Sequence, residues 1–121
     1  MHKFNSMEST IKIDVSLDDR RMPEKISWTA SDSTADSARK AKAMILSFWD
    51  GADKSALRID LWTKDMMVDE MTDFMYQTMM SMAESYERAT QLPELSNEMK
   101  NFARHFHKQF HENQLKNNKA Q

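Results

Sequence analysis

Ile11, Ile13, Val15 and Leu17 alternate with Lys12, Asp14 and Ser16. A period of two marks a strand with one apolar face. Asp18 to Pro23 reads as a connection, since Pro23 has no N–H to give to a ladder. Ile26, Trp28 and Ala30 alternate with Ser27 and Thr29. That is a second strand, and the short link predicts an antiparallel hairpin. Ser31-Asp32-Ser33-Thr34 is a cluster of helix-capping residues. A helix is expected after it, with Ala38, Ala41, Ile45 and Phe48 as its stripe, widened by Met44 and Trp49. Asp50-Gly51 is expected to end it, glycine suiting a left-handed cap. A third strand is expected from Ala56 to Thr63. Leu57, Ile59 and Leu61 fall on one face, and Arg58, Asp60 and Trp62 on the other.

From Val68 the period changes. Val68, Met71, Met75, Met79, Met82, Tyr86 and Ala89 recur every three or four residues, the spacing of one helix face. A long helix is expected from about Val68 to Thr90. At 100° per residue a second stripe, Tyr76, Met80 and Ala83, lies about 80–140° from Met75. Asp73, Glu70, Gln77, Glu84 and Arg88 fall on the wet side. Leu92-Pro93 breaks the chain, and Leu95, Met99, Phe102, Phe106 and Phe110 stripe a last helix. The order is β-β-α-β-α-α. The expected fold class is α+β: a three-stranded, mainly antiparallel sheet with one face covered by three helices. Its strand order stays open. Residues 1–10 are expected to be a flexible N-terminus, 11–112 a single α+β domain and 113–121 a disordered polar tail.

Composition removes several function classes. The 121 residues include no cysteine, so no disulfide framework and no thiolate chemistry are available. A net charge of −2 with mixed signs gives no electrostatic footprint for nucleic acid. The one glycine is too few for a glycine-rich phosphate loop. No apolar run approaches the ~20 residues of a membrane span. Met1 to Thr10 has no apolar core of a secretory signal, so none is expected there.

Four groups of residues invite a chemical reading. Lys12, Asp14, Arg58 and Asp60 are expected on one polar sheet face, where two carboxylates near a cation have acid–base potential. A solvated face with cross-strand charge pairs explains them as well. His107 and His111, four apart, can share a metal on one helix face, with His105 on the opposite flank. Two histidines fall short of the three or four ligands of a zinc site, and Glu112 does not complete either, so no metal and no cofactor are expected. Of the 12 methionines, Met71, Met75, Met79 and Met82 are expected as core. Trp62, among charges, is either a partner anchor, packed on the Met66-Met67 link, or turned by a twist at the strand end. Met80 and the edge of Tyr76 either border a partner surface or are covered by the last helix.

Several stretches resemble the gliding motility-associated protein GldC family of the Bacteroidota. They are Met22-Pro23-Glu24-Lys25-Ile26-Ser27-Trp28, Ala41-Lys42-Ala43-Met44, Ser47-Phe48-Trp49-Asp50 and the long run Leu57 to Met66. Val68-Asp69-Glu70-Met71, Tyr76-Gln77-Thr78 and Tyr86-Glu87-Arg88-Ala89-Thr90 continue it, so the resemblance spans about Ile11 to Phe110. Met67 stands where the family pattern has proline, which weakens the helix-start signal there. The resemblance implies a small cytoplasmic protein of gliding motility, linked through the gliding machinery to type IX secretion. It brings no catalytic or cofactor residues. The expected function is non-enzymatic, through contact with a machinery protein of unknown identity or with further copies of the chain, without nucleic acid or membrane insertion. A chaperone-like role for a machinery component is the alternative, and an enzyme using carboxylates on the open sheet face ranks third.

Overall fold

The computed structural model describes residues 7–31 and 37–120. Five strands precede two helices: β1 (Ile11–Leu17), β2 (Pro23–Ala30), β3 (Arg39–Ala41), β4 (Ala43–Asp50), β5 (Ser55–Trp62), α1 (Val68–Thr90) and α2 (Pro93–Ala120). The chain is α+β and forms two compact units, Met1–Met66 and Met67–Gln121.

In the first unit all pairing is antiparallel. One sheet has the order β1-β2-β3 and the other is the β4-β5 hairpin. Ile13 lies opposite Trp28, Val15 opposite Ile26, and Ile26 opposite Ala41. Residues directly opposite share a face, so these side chains form one apolar surface. Ile26, on the central strand, is its buried centre.

Asp18 shapes the β1–β2 turn. Its Oδ1 accepts from the N–H groups of Arg20 and Met22 at 2.8 and 2.9 Å, and Arg21 takes the left-handed conformation at φ 65°. The two sheets meet where β3 gives way to β4. There the carbonyl of Lys42 accepts from both the N–H and the Oγ1 of Thr63, at 2.7 and 2.9 Å. Thr63 is buried with both donors satisfied, so the end of β5 is pinned to the strand junction.

The expected three-stranded sheet under three helices is corrected on two counts. No helix occupies 38–50; β3 and β4 do, and β5 pairs with β4 rather than with the first hairpin. The run Met44-Ile45-Leu46-Ser47-Phe48-Trp49 satisfies both periods, because Met44, Leu46 and Phe48 alternate while Ala41, Ile45 and Phe48 keep helical spacing. β-Branched and aromatic residues favour the strand. Asp50-Gly51 opens a hairpin loop instead of capping a helix. Asp50 Oδ1 accepts from Ala52 and Asp53, and the left-handed residue is Lys54 at φ 55°, not Gly51. The supposed capping cluster falls at Asp32, Ser33 and Thr34, outside the described residues, with Ser31 alone inside them.

The second unit is an antiparallel helix pair. α1 starts without a Ser, Thr, Asp or Asn cap; Glu70 Oε1 accepts the N–H of Met67 at 3.0 Å in its place. Gln91, left-handed at φ 58°, ends it by donating to the Glu87 carbonyl at 2.7 Å. α2 begins at Pro93, whose fixed φ suits a first helical turn. It runs on through Ala120 where a disordered tail was expected. The polar composition of 113–120 is compatible with helix, since Gln, Leu, Lys and Ala are good helix formers.

Small residues lie at the contact between the helices. Ala83, Ser96 and Ala103 have no exposed surface, and Thr72 is also buried. Ser96 Oγ donates to the Ala83 carbonyl at 2.7 Å. The contact line on α1 therefore follows Thr72, Tyr76 and Ala83. Tyr76 and Ala83 belong to the expected stripe of Tyr76, Met80 and Ala83, whereas Thr72 lies in neither expected stripe. On α2 the line passes beside the phenylalanine stripe rather than along it, leaving Leu95 and Phe102 exposed.

Candidate functional site

The β4–β5 hairpin carries two unlike faces. Met44 lies opposite Leu61, Leu46 opposite Ile59 and Phe48 opposite Leu57, so one face is apolar up to the loop end, where Asp50 lies opposite Ser55. The other pairs Ala43 with Trp62, Ile45 with Asp60, Ser47 with Arg58 and Trp49 with Ala56. On that second face Trp49 is 69% and Trp62 58% exposed. Between them Arg58 donates to Asp60 Oδ2 at 2.8 Å. The two tryptophans are six ladder positions apart, about 20 Å at the rise of a strand. Alternation along β5 places Trp62 with Arg58 and Asp60, as expected. Trp49 joins them only because β4 is a strand.

The other polar residues do not converge on that face. Lys12 pairs with Asp14, 3.8 Å away along β1, in the other sheet. Each expected acid–base partner thus sits beside its neighbour two residues along its own strand. Such exposed pairs contribute about 0–1 kcal/mol. Asp18, at the β1–β2 turn, has a distinct electrostatic setting. Lys64 lies 2.7 Å from its Oδ2. With that ammonium and the N–H groups of Met22 and Arg20 around it, the Asp18 carboxyl is lowered to about 2. The same contact raises Lys64.

On the helix pair, Tyr76 and Met80 are half-buried. The ring of Tyr76 lies against His107, with centroids 4.5 Å apart. His107 Nε2 lies 2.9 Å from Asp73 Oδ1 and 3.3 Å from His111 Nε2. Asp73, His107 and His111 each offer one ligand atom, and these atoms all lie within 4.8 Å of one another. His105 stays on the other flank, outside this group, and Glu112 is instead beside Lys108. Helical spacing finds the two histidines. It misses Asp73, which lies 34 residues away and reads as part of the wet side. The missing signal is register: once Ser96 is set against Ala83, antiparallel pairing carries Asp73 opposite His107.

No helix among the described residues is long and apolar enough to cross a membrane. No curated protein and no solved structure matches the chain. The family described as gliding motility-associated protein GldC-like matches residues 23–112, from the start of β2 into α2, and the chain belongs to that family.

Proposed function

We propose that the protein is a non-enzymatic cytoplasmic component that supports gliding motility, and through it the associated type IX secretion, by contact with a protein of the gliding machinery. Family membership supports the process. One observation carries the mode of action: Trp49 and Trp62 stand exposed on one hairpin face with Arg58 between them. Tryptophan and arginine dominate the energetic centres of protein interfaces. The partner this face fits presents two apolar pockets about 20 Å apart, with a polar strip between them facing the Arg58–Asp60 pair. Tyr76 and Met80 on the helix pair are the second contact candidate.

Cells lacking the gene should spread poorly, and the parent gene should restore spreading. The Trp49→Ala, Trp62→Ala variant should not restore it, although the purified variant keeps the circular dichroism and melting temperature of the parent. Affinity purification from the native organism should recover one stable machinery component. Each truncation should weaken that complex by about 30-fold or more, the effect of losing about 2 kcal/mol at an interface centre. Normal spreading after deletion, or full rescue by the double variant, contradicts the reading. Recovery of many unfolded clients in place of one component favours the chaperone-like role.

A further inference from the structure

The geometry points to a divalent transition-metal site formed by Asp73 of α1 with His107 and His111 of α2, with zinc as the ion it fits best. The three ligand atoms come from two helices and meet on one side of the pair. As hydrogen-bonding groups they conflict. A neutral His107 carries either a proton or a lone pair at Nε2. With the proton there, it donates to Asp73 Oδ1 at 2.9 Å and has no lone pair left for a proton from His111, 3.3 Å away. With the lone pair there, it faces a carboxylate oxygen at 2.9 Å, acceptor against acceptor. The remaining choice is one N–H shared between two acceptors. A cation removes the conflict, because all three atoms then offer lone pairs to one centre.

The distances agree with this assignment. Nitrogen and oxygen ligands lie about 2.0–2.2 Å from zinc, so two ligands at a tetrahedral angle are about 3.4 Å apart. The two His Nε2 atoms are already at 3.3 Å. The third ligand, Asp73, is exposed, and its Oδ1 already lies 2.9 Å from His107 Nε2. Two imidazoles and one carboxylate suit zinc, copper or nickel, whereas magnesium and calcium take oxygen ligands. Three protein ligands leave one position for water or a ligand from outside. The ring of Tyr76, 4.5 Å from that of His107, limits how far the imidazole can swing. The ion would clip α1 to α2 far along the pair from their Gln91–Leu92 connection, near the start of α1.

The test begins with full-length protein stripped by chelator and titrated calorimetrically with zinc chloride. We expect one zinc per chain and a raised melting temperature. Magnesium and calcium chloride should not compete. Cobalt(II) should occupy the same site and give visible bands typical of mixed nitrogen and oxygen donors. Asp73→Asn, His107→Ala and His111→Ala should each weaken zinc by more than the about 10–100-fold that loss of an outer-sphere partner costs. Each should also lose the zinc-dependent rise in melting temperature while keeping the helical circular dichroism of the metal-free parent. Two results would overturn the site: no saturable zinc binding by the parent, or zinc binding that survives Asp73→Asn unchanged, which would leave only a surface histidine pair.

Discussion

Asp18 uses both carboxylate oxygens. Oδ1 holds the turn N–H groups of Arg20 and Met22, and Oδ2 holds Lys64, two residues past the end of β5. One side chain therefore fastens the β1–β2 turn to the chain that leaves the second hairpin. Its pKa is lowered to about 2, with Lys64 the largest cause. A carboxylate lowered in the folded state adds stability above its unfolded value of about 3.9, and that contribution is lost as the pH falls toward 2. Lys64→Met should move the Asp18 titration, followed by carboxyl-carbon NMR, up toward the ordinary range. It should also reduce the loss of melting temperature between pH 4 and 2, a window of about two units set by the two pKa values. An Asp18 titration unchanged in the variant would assign the lowering to the turn N–H groups alone. Little of this was readable in the residues by themselves. Asp18 and Lys64 lie 46 positions apart, and no local period connects them.

At the scale of the element, periodicity succeeded where one period dominated and failed where two were satisfied together. β1, β2, β5 and α1 appear close to where alternation or helical spacing puts them. β4 does not, because a run of six residues with five apolar carries no phase that separates strand from helix. Its identity is settled by partner and turn: β5 pairs along its length, and Asp50 closes the loop between them. The helix pair shows a second limit. Periodicity located apolar stripes, but the contact formed along the small residues beside them, since Ala83, Ser96 and Ala103 let the backbones approach. Ala103→Leu puts extra volume where no surface is exposed. It should cost about 1–3 kcal/mol, the range for overpacking, measured by urea denaturation. An equal midpoint in Ala103→Leu and the parent would show that the helices separate readily at this point. Ser96→Ala leaves the Ala83 carbonyl to its helical partner alone, so it should cost less, about 0.5–1.5 kcal/mol.

Across the whole chain, the described residues bury little large apolar surface. Ile26 is the one large side chain among the buried apolar residues, the others being Ala83 and Ala103. Phe48, Leu57 and Ile59 on the apolar hairpin face are each more than half exposed, as are Met82 and Phe102 on the helices. Contiguous exposed apolar patches beyond a few hundred Å² mark interaction surfaces. The expected core methionines of α1 illustrate the point, since Met71, Met75 and Met79 are half-buried while Met82 is exposed. Met80 tests what such a surface does. It lies about 140° round α1 from Met75, beyond the Thr72, Tyr76 and Ala83 contact line and on the flank away from Met82. Half-buried there, it neighbours Tyr76 without lying on the buried contact line itself. An aspartate at that position can turn its carboxylate to water, and the small residues that pack the helices together are untouched. Met80→Asp should therefore keep the circular dichroism and cooperative melting of the parent. It should weaken association, read by sedimentation for copies of this chain and by affinity purification for the machinery partner, and it should impair spreading. Unfolding of the isolated variant would instead make Met80 an interior residue and remove it, with the neighbouring edge of Tyr76, from the contact surface.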